Sequence, residues 1–158
     1  MSERDFLRRL SREGRLEIVQ PSEEIKISYL KKSESYLVSA KLLLGHEHSE
    51  EAVPLVYYSM YYSGTALLFR TGIKCENHAA AIILLRELFG IDESALEKAK
   101  RERIDTQYYV DSTVTRLDVE DLIRAAETFN SRLLDVIDRL GNKEIARYRS
   151  TLKTMLVT

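Results

Sequence analysis

Apolar residues recur every three or four positions along almost the whole chain, and no run of strict alternation bounded by turn residues marks a strand. The pattern predicts an all-α protein, an antiparallel up-and-down bundle of four to five main helices. Residues 3 to 13 set Phe6, Leu7 and Leu10 opposite Arg4, Arg8 and Arg12, a short amphipathic helix that Gly14 ends before Gln20-Pro21 breaks the chain. Residues 1–21 read as an arm leading into a bundle of residues 22–141. Ser22 stands where an N-cap belongs, with Glu23 and Glu24 in the first turn, where carboxylates favour the partial positive charge of a helix start. The stripe Tyr29, Leu30, Ser33, Tyr36, Leu37, Ala40, Leu43 and Leu44 then carries a long helix to Gly45.

The next helix, about Glu50 to Arg70, holds no Asp, Glu, Lys or Arg from Ala52 through Phe69, so it should be the most buried element. Its length approaches a membrane span, but Pro54, Ser59, Ser63, Gly64, Thr65 and four tyrosines favour a central bundle helix. Ser63-Gly64-Thr65 would let a neighbouring helix come close, which places Gly64 at a tight crossing. Asn77 can cap a third helix, Ala79 to Phe89, that Gly90 ends, and Asp92 starts a fourth through Ala95, Leu96, Ala99 and Arg103 toward Tyr108-Tyr109. Residues 110 to 117 read as a loop. From about Asp118 the seam Val119, Leu122, Ala126, Phe129, Leu133, Val136 and Leu140 predicts the last long helix, ended by Gly141. Residues 142–158 form a basic tail containing Tyr148, helical or frayed. The apolar 52–69 helix and the full 118–140 seam offer more apolar surface than one small bundle covers, which points to a homodimer built on long-helix faces.

Composition narrows the function classes. A chain of 158 residues, 44% hydrophobic and 31% charged, suits one globular domain. Lys and Arg total 24 against 25 Asp and Glu, a net charge of -1, which removes the basic balance of a protein that grips duplex DNA by charge alone. The single cysteine, Cys75, excludes an internal disulfide and a two-thiol metal site. Met1-Ser2-Glu3-Arg4-Asp5 is unlike a signal peptide, so a cytoplasmic protein without a membrane segment is expected.

Four groups of residues invite a chemical reading. His46 and His48, with Glu47, Glu50 and Glu51, have the elements of a metal cluster. Two histidines two apart at a helix end do not aim at one ion, so a solvated loop and no metal is expected. Tyr57, Tyr58, Tyr61 and Tyr62 pair at i, i+4, as core or homodimer contacts or as base-stacking rings. Arg103 continues the inward stripe of Leu96 and Ala99, and a guanidinium there needs a carboxylate, carbonyls, a phosphate or the rim of a cleft. The run Lys98-Ala99-Lys100-Arg101-Glu102-Arg103 adds local positive charge. His78 follows the Asn77 cap, with Arg70 eight residues before it, so both could face one pocket at the end of the bundle.

Four segments in this order and spacing carry a family resemblance: Leu10-Ser-Arg-Glu-Gly14; Ala40-Lys-Leu-Leu-Leu-Gly45; Tyr57-Tyr-Ser-Met-Tyr-Tyr-Ser-Gly-Thr-Ala-Leu-Leu-Phe-Arg-Thr-Gly72 followed by His78; and Arg103-Ile-Asp-Thr-Gln-Tyr-Tyr109. Over roughly residues 7 to 140 the chain resembles the HEPN domain, more closely its UPF0332-like branch of small prokaryotic helical proteins. The resemblance implies an antiparallel bundle that dimerises and is often encoded beside a minimal nucleotidyltransferase. Active members of the wider family are metal-independent RNases whose motif is an arginine, four to six residues, then a histidine. Here Tyr108 stands where that histidine would be. Attack by a 2′-hydroxyl needs a group that exchanges a proton near neutral pH, as histidine at about 6.5 does and tyrosine at about 10 does not.

Arg70 and His78 miss the motif spacing, and a composite site of Arg103 with His78 ranks below an inactive reading. The chain is therefore expected to be a HEPN-like binding and interaction module without catalysis or cofactor of its own, partnering a nucleotidyltransferase in a toxin-antitoxin-type pair. Arg103, Lys100, Tyr109 and Arg70 are its candidates for binding a nucleotide or RNA. Arg103 should line an open cleft near Tyr108 or Tyr109. The alternative is a metal-independent RNase toxin acting at a dimer cleft, for which Arg103, Tyr108 and His78 are the candidates. A purely structural homo-oligomer is the third.

Overall fold

Capping side chains fix where most of the helices begin. The computed structural model describes residues 1–109 and 113–157. Ser2 and Asp5 form a reciprocal capping box at the head of α1 (Glu3–Arg12), and Ser22 caps α2 (Glu23–Gly45) by accepting from the Ile25 N–H. The nearly charge-free α3 spans Ser49–Arg70. Asn77 Oδ1 accepts from the Ala80 N–H at 2.9 Å to start α4 (His78–Phe89), which Gly90 ends at φ +64°. The fourth predicted helix starts later than expected: α5 is Ser94–Tyr108, because Asp92 accepts from both the N–H and the hydroxyl of Ser94 and turns the chain first. The last long helix starts earlier than Asp118. Thr115 takes the cap with Asp118 as its capping-box partner, so α6 runs Arg116–Asp138. Of the loop expected at 110–117, residues 110–112 lie outside the described residues and Arg116 and Leu117 are helical. The tail forms a helix, α7 (Asn142–Leu156), that buries Ile145, Leu152 and Met155.

One local expectation is corrected. β1 (Leu16–Ile18) and β2 (Ile73–Cys75) pair antiparallel, with Leu16 opposite Cys75 and Ile18 opposite Ile73. Three residues are too few for alternation to show, and the pairing is fixed by burial of Leu16 and Ile73.

The predicted all-α bundle holds, with α3 at its centre. Its buried positions pack with α2, α5 and α6 around Val56, Tyr57, Met60 and Leu67. A second cluster joins the two ends of the chain, where Leu7 and Leu10 of α1 meet Leu84 and Leu88 of α4 and Leu152 of α7. Arg149 of α7 donates to the carbonyls of Val19, Thr71 and Gly72, tying the end of α3 to the segment that follows β1. Gly72 makes that approach at φ +79°, where a side chain would meet the Val19 carbonyl and the Arg149 guanidinium. Gly64 does sit at a close crossing, facing Leu85 of α4. Between α2, α3 and α6 a polar seam runs through the core. Ser33 and Ser59 hydroxyls exchange bonds with each other's carbonyls, Asn130 Nδ2 donates to Ser59 Oγ, and Ser63 Oγ donates to Asn130 Oδ1. No helix among the described residues is long and apolar enough to cross a membrane.

Candidate functional site

The four tyrosines of α3 place a ring system where α4 and α5 converge on it. Tyr57 and Tyr61, one turn apart, have centroids 6.1 Å apart, and Tyr58 and Tyr62 stack likewise at 5.7 Å. Tyr57 is wholly buried; the other three are half-buried. The Asn77 cap fixes His78 as the first residue of α4, which lays its ring on Tyr61 at 3.9 Å between centroids and sets it edge-on to Tyr58. His78 Nδ1 lies 2.7 Å from the Tyr57 hydroxyl.

From the other side, the inward stripe of α5 delivers Arg103. Its guanidinium carbon lies 4.9 Å from the Tyr57 centroid and 5.6 Å from that of Tyr58, a double cation–π contact. Nη1 makes long bonds, 3.4 Å to the Tyr58 hydroxyl oxygen and 3.3 Å to Gln107 Oε1. Nε is buried and finds no partner among the described residues. Among the described residues Arg103 has no carboxylate partner, so the salt bridge that would explain an inward arginine is absent. Arg103 and His78 thus flank the same two rings and are joined through Tyr57.

The electrostatics follow from burial. Desolvation pushes the Tyr57 and Tyr61 hydroxyls well above the ordinary tyrosine range, and burial together with the neighbouring Tyr36 phenol pushes Tyr62 up to about 12. His78 is held below the ordinary histidine value, first by burial and then by the positive charges of Arg103 and Lys100. Near neutral pH Tyr57, Tyr61 and Tyr62 are therefore neutral phenols and His78 a neutral imidazole.

Other expected site residues fall elsewhere. Tyr108 stands five residues from Arg103, about 140° around the helix, and is 73% exposed; Gln107, at i+4, takes the position beside the guanidinium. Tyr109 is 61% exposed at the C-cap of α5. Arg70 does not share a pocket with His78: it lies nine residues beyond Tyr61, about 13 Å along α3, and binds Glu23 at 2.8 Å. His46 and His48 are exposed, and no cluster of three metal-binding side chains occurs among the described residues. A cleft of about 480 Å³ opens between α2 and α6, over Ser63 and Asn130, and includes none of the Arg103 cluster.

Sequence reasoning missed Gln107 and the seating of Arg103 on the Tyr57 and Tyr58 rings. Gln107 was detectable at i+4, but the contact of α5 with the α3 tyrosines is long-range and leaves no local signal. Compared with known families, the model of the HEPN domain matches residues 28–137, which takes in the whole cluster. No curated protein matches the chain.

Proposed function

The chain belongs to the HEPN domain family, and from that premise we propose that it is a nucleotide- or RNA-binding module whose phosphate receptor is Arg103. The observation that carries the reading is a guanidinium that has no carboxylate partner among the described residues. Burying part of a charge without a counterion is costly, and here aromatic faces offset the cost while leaving the positive potential available to an incoming anion. A phosphate oxygen pair matches the planar fork of arginine, as a point charge on lysine would not. Lys100, one turn earlier on α5, raises the local potential, and Tyr109 offers an exposed ring for a base. Family membership supports a nucleotide- or RNA-related role and self-association. On this reading the module works as a homodimer with a minimal nucleotidyltransferase partner in a toxin-antitoxin-type pair, and does not cleave RNA.

One observation favours a second reading, the metal-independent RNase. His78 supplies beside Arg103 the titratable group that Tyr108 lacks. Incubation of the purified protein with single-stranded RNA in chelator, followed by gel retardation, separates the two. Intact, retarded RNA is expected; degradation that His78→Ala abolishes would install the RNase reading instead.

A further inference from the structure

We infer that Tyr57 fixes His78 as a hydrogen-bond donor through Nε2–H, and that the site therefore selects a phosphate monoester, the free end of a nucleotide or RNA strand, over an internal phosphodiester. The inference rests on the phosphate-binding reading and sharpens it. The Tyr57 side chain is wholly buried, and among the described residues its hydroxyl has one partner, His78 Nδ1 at 2.7 Å. A buried hydroxyl proton without an acceptor costs on the order of 1 to 3 kcal/mol, so the phenol donates and Nδ1 accepts. Burial keeps Tyr57 protonated, in line with that assignment. A neutral imidazole that accepts at Nδ1 carries its hydrogen on Nε2. The parallel ring of Tyr61 and the edge of Tyr58 hold the plane of the imidazole.

The groups around His78 are then Tyr57, Tyr58 and Tyr61 from α3 and Arg103 and Lys100 from α5, with Glu97 the acidic group near Tyr57. Arg103, over the faces of Tyr57 and Tyr58, and His78, packed on the same two rings, are the donors this end of the cluster offers, with Lys100 one turn from Arg103 on α5. A monoester near neutral pH carries close to two negative charges and three terminal oxygens, whereas a diester offers one charge and two such oxygens. The same tautomer lacks a lone pair at Nε2, so His78 does not act there as a base toward a 2′-hydroxyl.

Long-range ¹H–¹⁵N correlation spectra of the full chain read the tautomer directly. A protonated Nε2 with a pyridine-like Nδ1 is expected, and Tyr57→Phe should mix the two forms. Calorimetric titration with adenosine 5′-monophosphate and with its 5′-methyl ester reads the selectivity. The monoester should bind on the order of tenfold more tightly, the worth of one charge-assisted hydrogen bond. His78→Ala should remove most of that ratio, and His78→Gln, which keeps an N–H near the Nε2 position, should retain part of it. A protonated Nδ1, equal affinities for the two probes, or RNA cleavage abolished by His78→Ala would overturn the inference. If wild-type protein binds neither probe, the phosphate-binding reading fails with it; if both bind equally through Arg103, only the inference does.

Discussion

Replacing Gly64 tests the packing that brings α4 and its first residue onto α3. An added Cβ would lie 2.8 Å from Leu85 Cδ1, where carbon contacts prefer roughly 3.5 to 4.0 Å, so the leucine must retreat by about 1 Å. Leu85 is 1% exposed and belongs to the main core, which leaves it little room. For Gly64→Ala, a gain of about 1 kcal/mol in helix propensity opposes an overpacking loss of about 1 to 3 kcal/mol, for a net loss of about 0 to 2 kcal/mol. Gly64→Leu places three further carbons in the same gap and should lose about 2 to 3 kcal/mol, or about 4 to 12 °C in Tm for a chain of this size. Thermal unfolding followed by circular dichroism measures both. Pairing Gly64→Ala with Leu85→Ala should give a loss smaller than the sum of the single losses, since the truncated leucine vacates the space the new methyl needs. An unchanged or raised Tm for Gly64→Leu, or strict additivity in the pair, would show that the two helices do not meet at this glycine.

Arg149→Leu should lower stability by about 1.5 to 3 kcal/mol, because the carbonyls of Thr71 and Gly72 past the end of α3, and of Val19 beside them, lose a charged donor. A urea midpoint that falls while the m-value holds would confirm it, and a change within about 0.3 kcal/mol would contradict it. The lowered pKa of His78 makes stability pH-dependent, with full stability above the ordinary value of 6.5 and a decline as pH drops below it. In that window the unfolded chain takes up a proton that the folded chain refuses. The Tm difference between pH 7.5 and pH 5.5 should therefore be smaller in His78→Gln than in wild type; equal differences would show that His78 titrates freely.

Helical periodicity made the bundle legible because an apolar stripe is a local property. The caps Ser22 and Asn77 and the helix-ending Gly90 were visible for the same reason. The two short strands were not, since their pairing joins residues almost sixty positions apart and each is shorter than one alternation cycle needs. At the site, spacing singled out Arg103 from its inward stripe and His78 from its cap. What joins them, the Tyr57 ring and hydroxyl, depends on how three helices cross. The same limit explains why Arg70 was placed beside His78 on closeness in sequence, when α3 carries it about 13 Å beyond Tyr61 to Glu23. The offset of Tyr108 is of the other kind, since the helical period alone sets a residue five positions from Arg103 on a different face.

On the proposed reading Arg103 is a phosphate receptor and not a structural brace. The most direct test of that claim is the affinity of a short fluorescent single-stranded RNA for wild-type protein and for Arg103→Ala, measured by anisotropy at one fixed salt concentration alongside both melting temperatures. Loss of this guanidinium should weaken binding by about tenfold or more, the worth of at least one charge-assisted contact. Tm should shift by no more than about 4 °C, because among the described residues Arg103 holds no carboxylate and its Nε has no partner to lose. Equal affinities, or weakened binding accompanied by collapse of the melting transition, would contradict the claim.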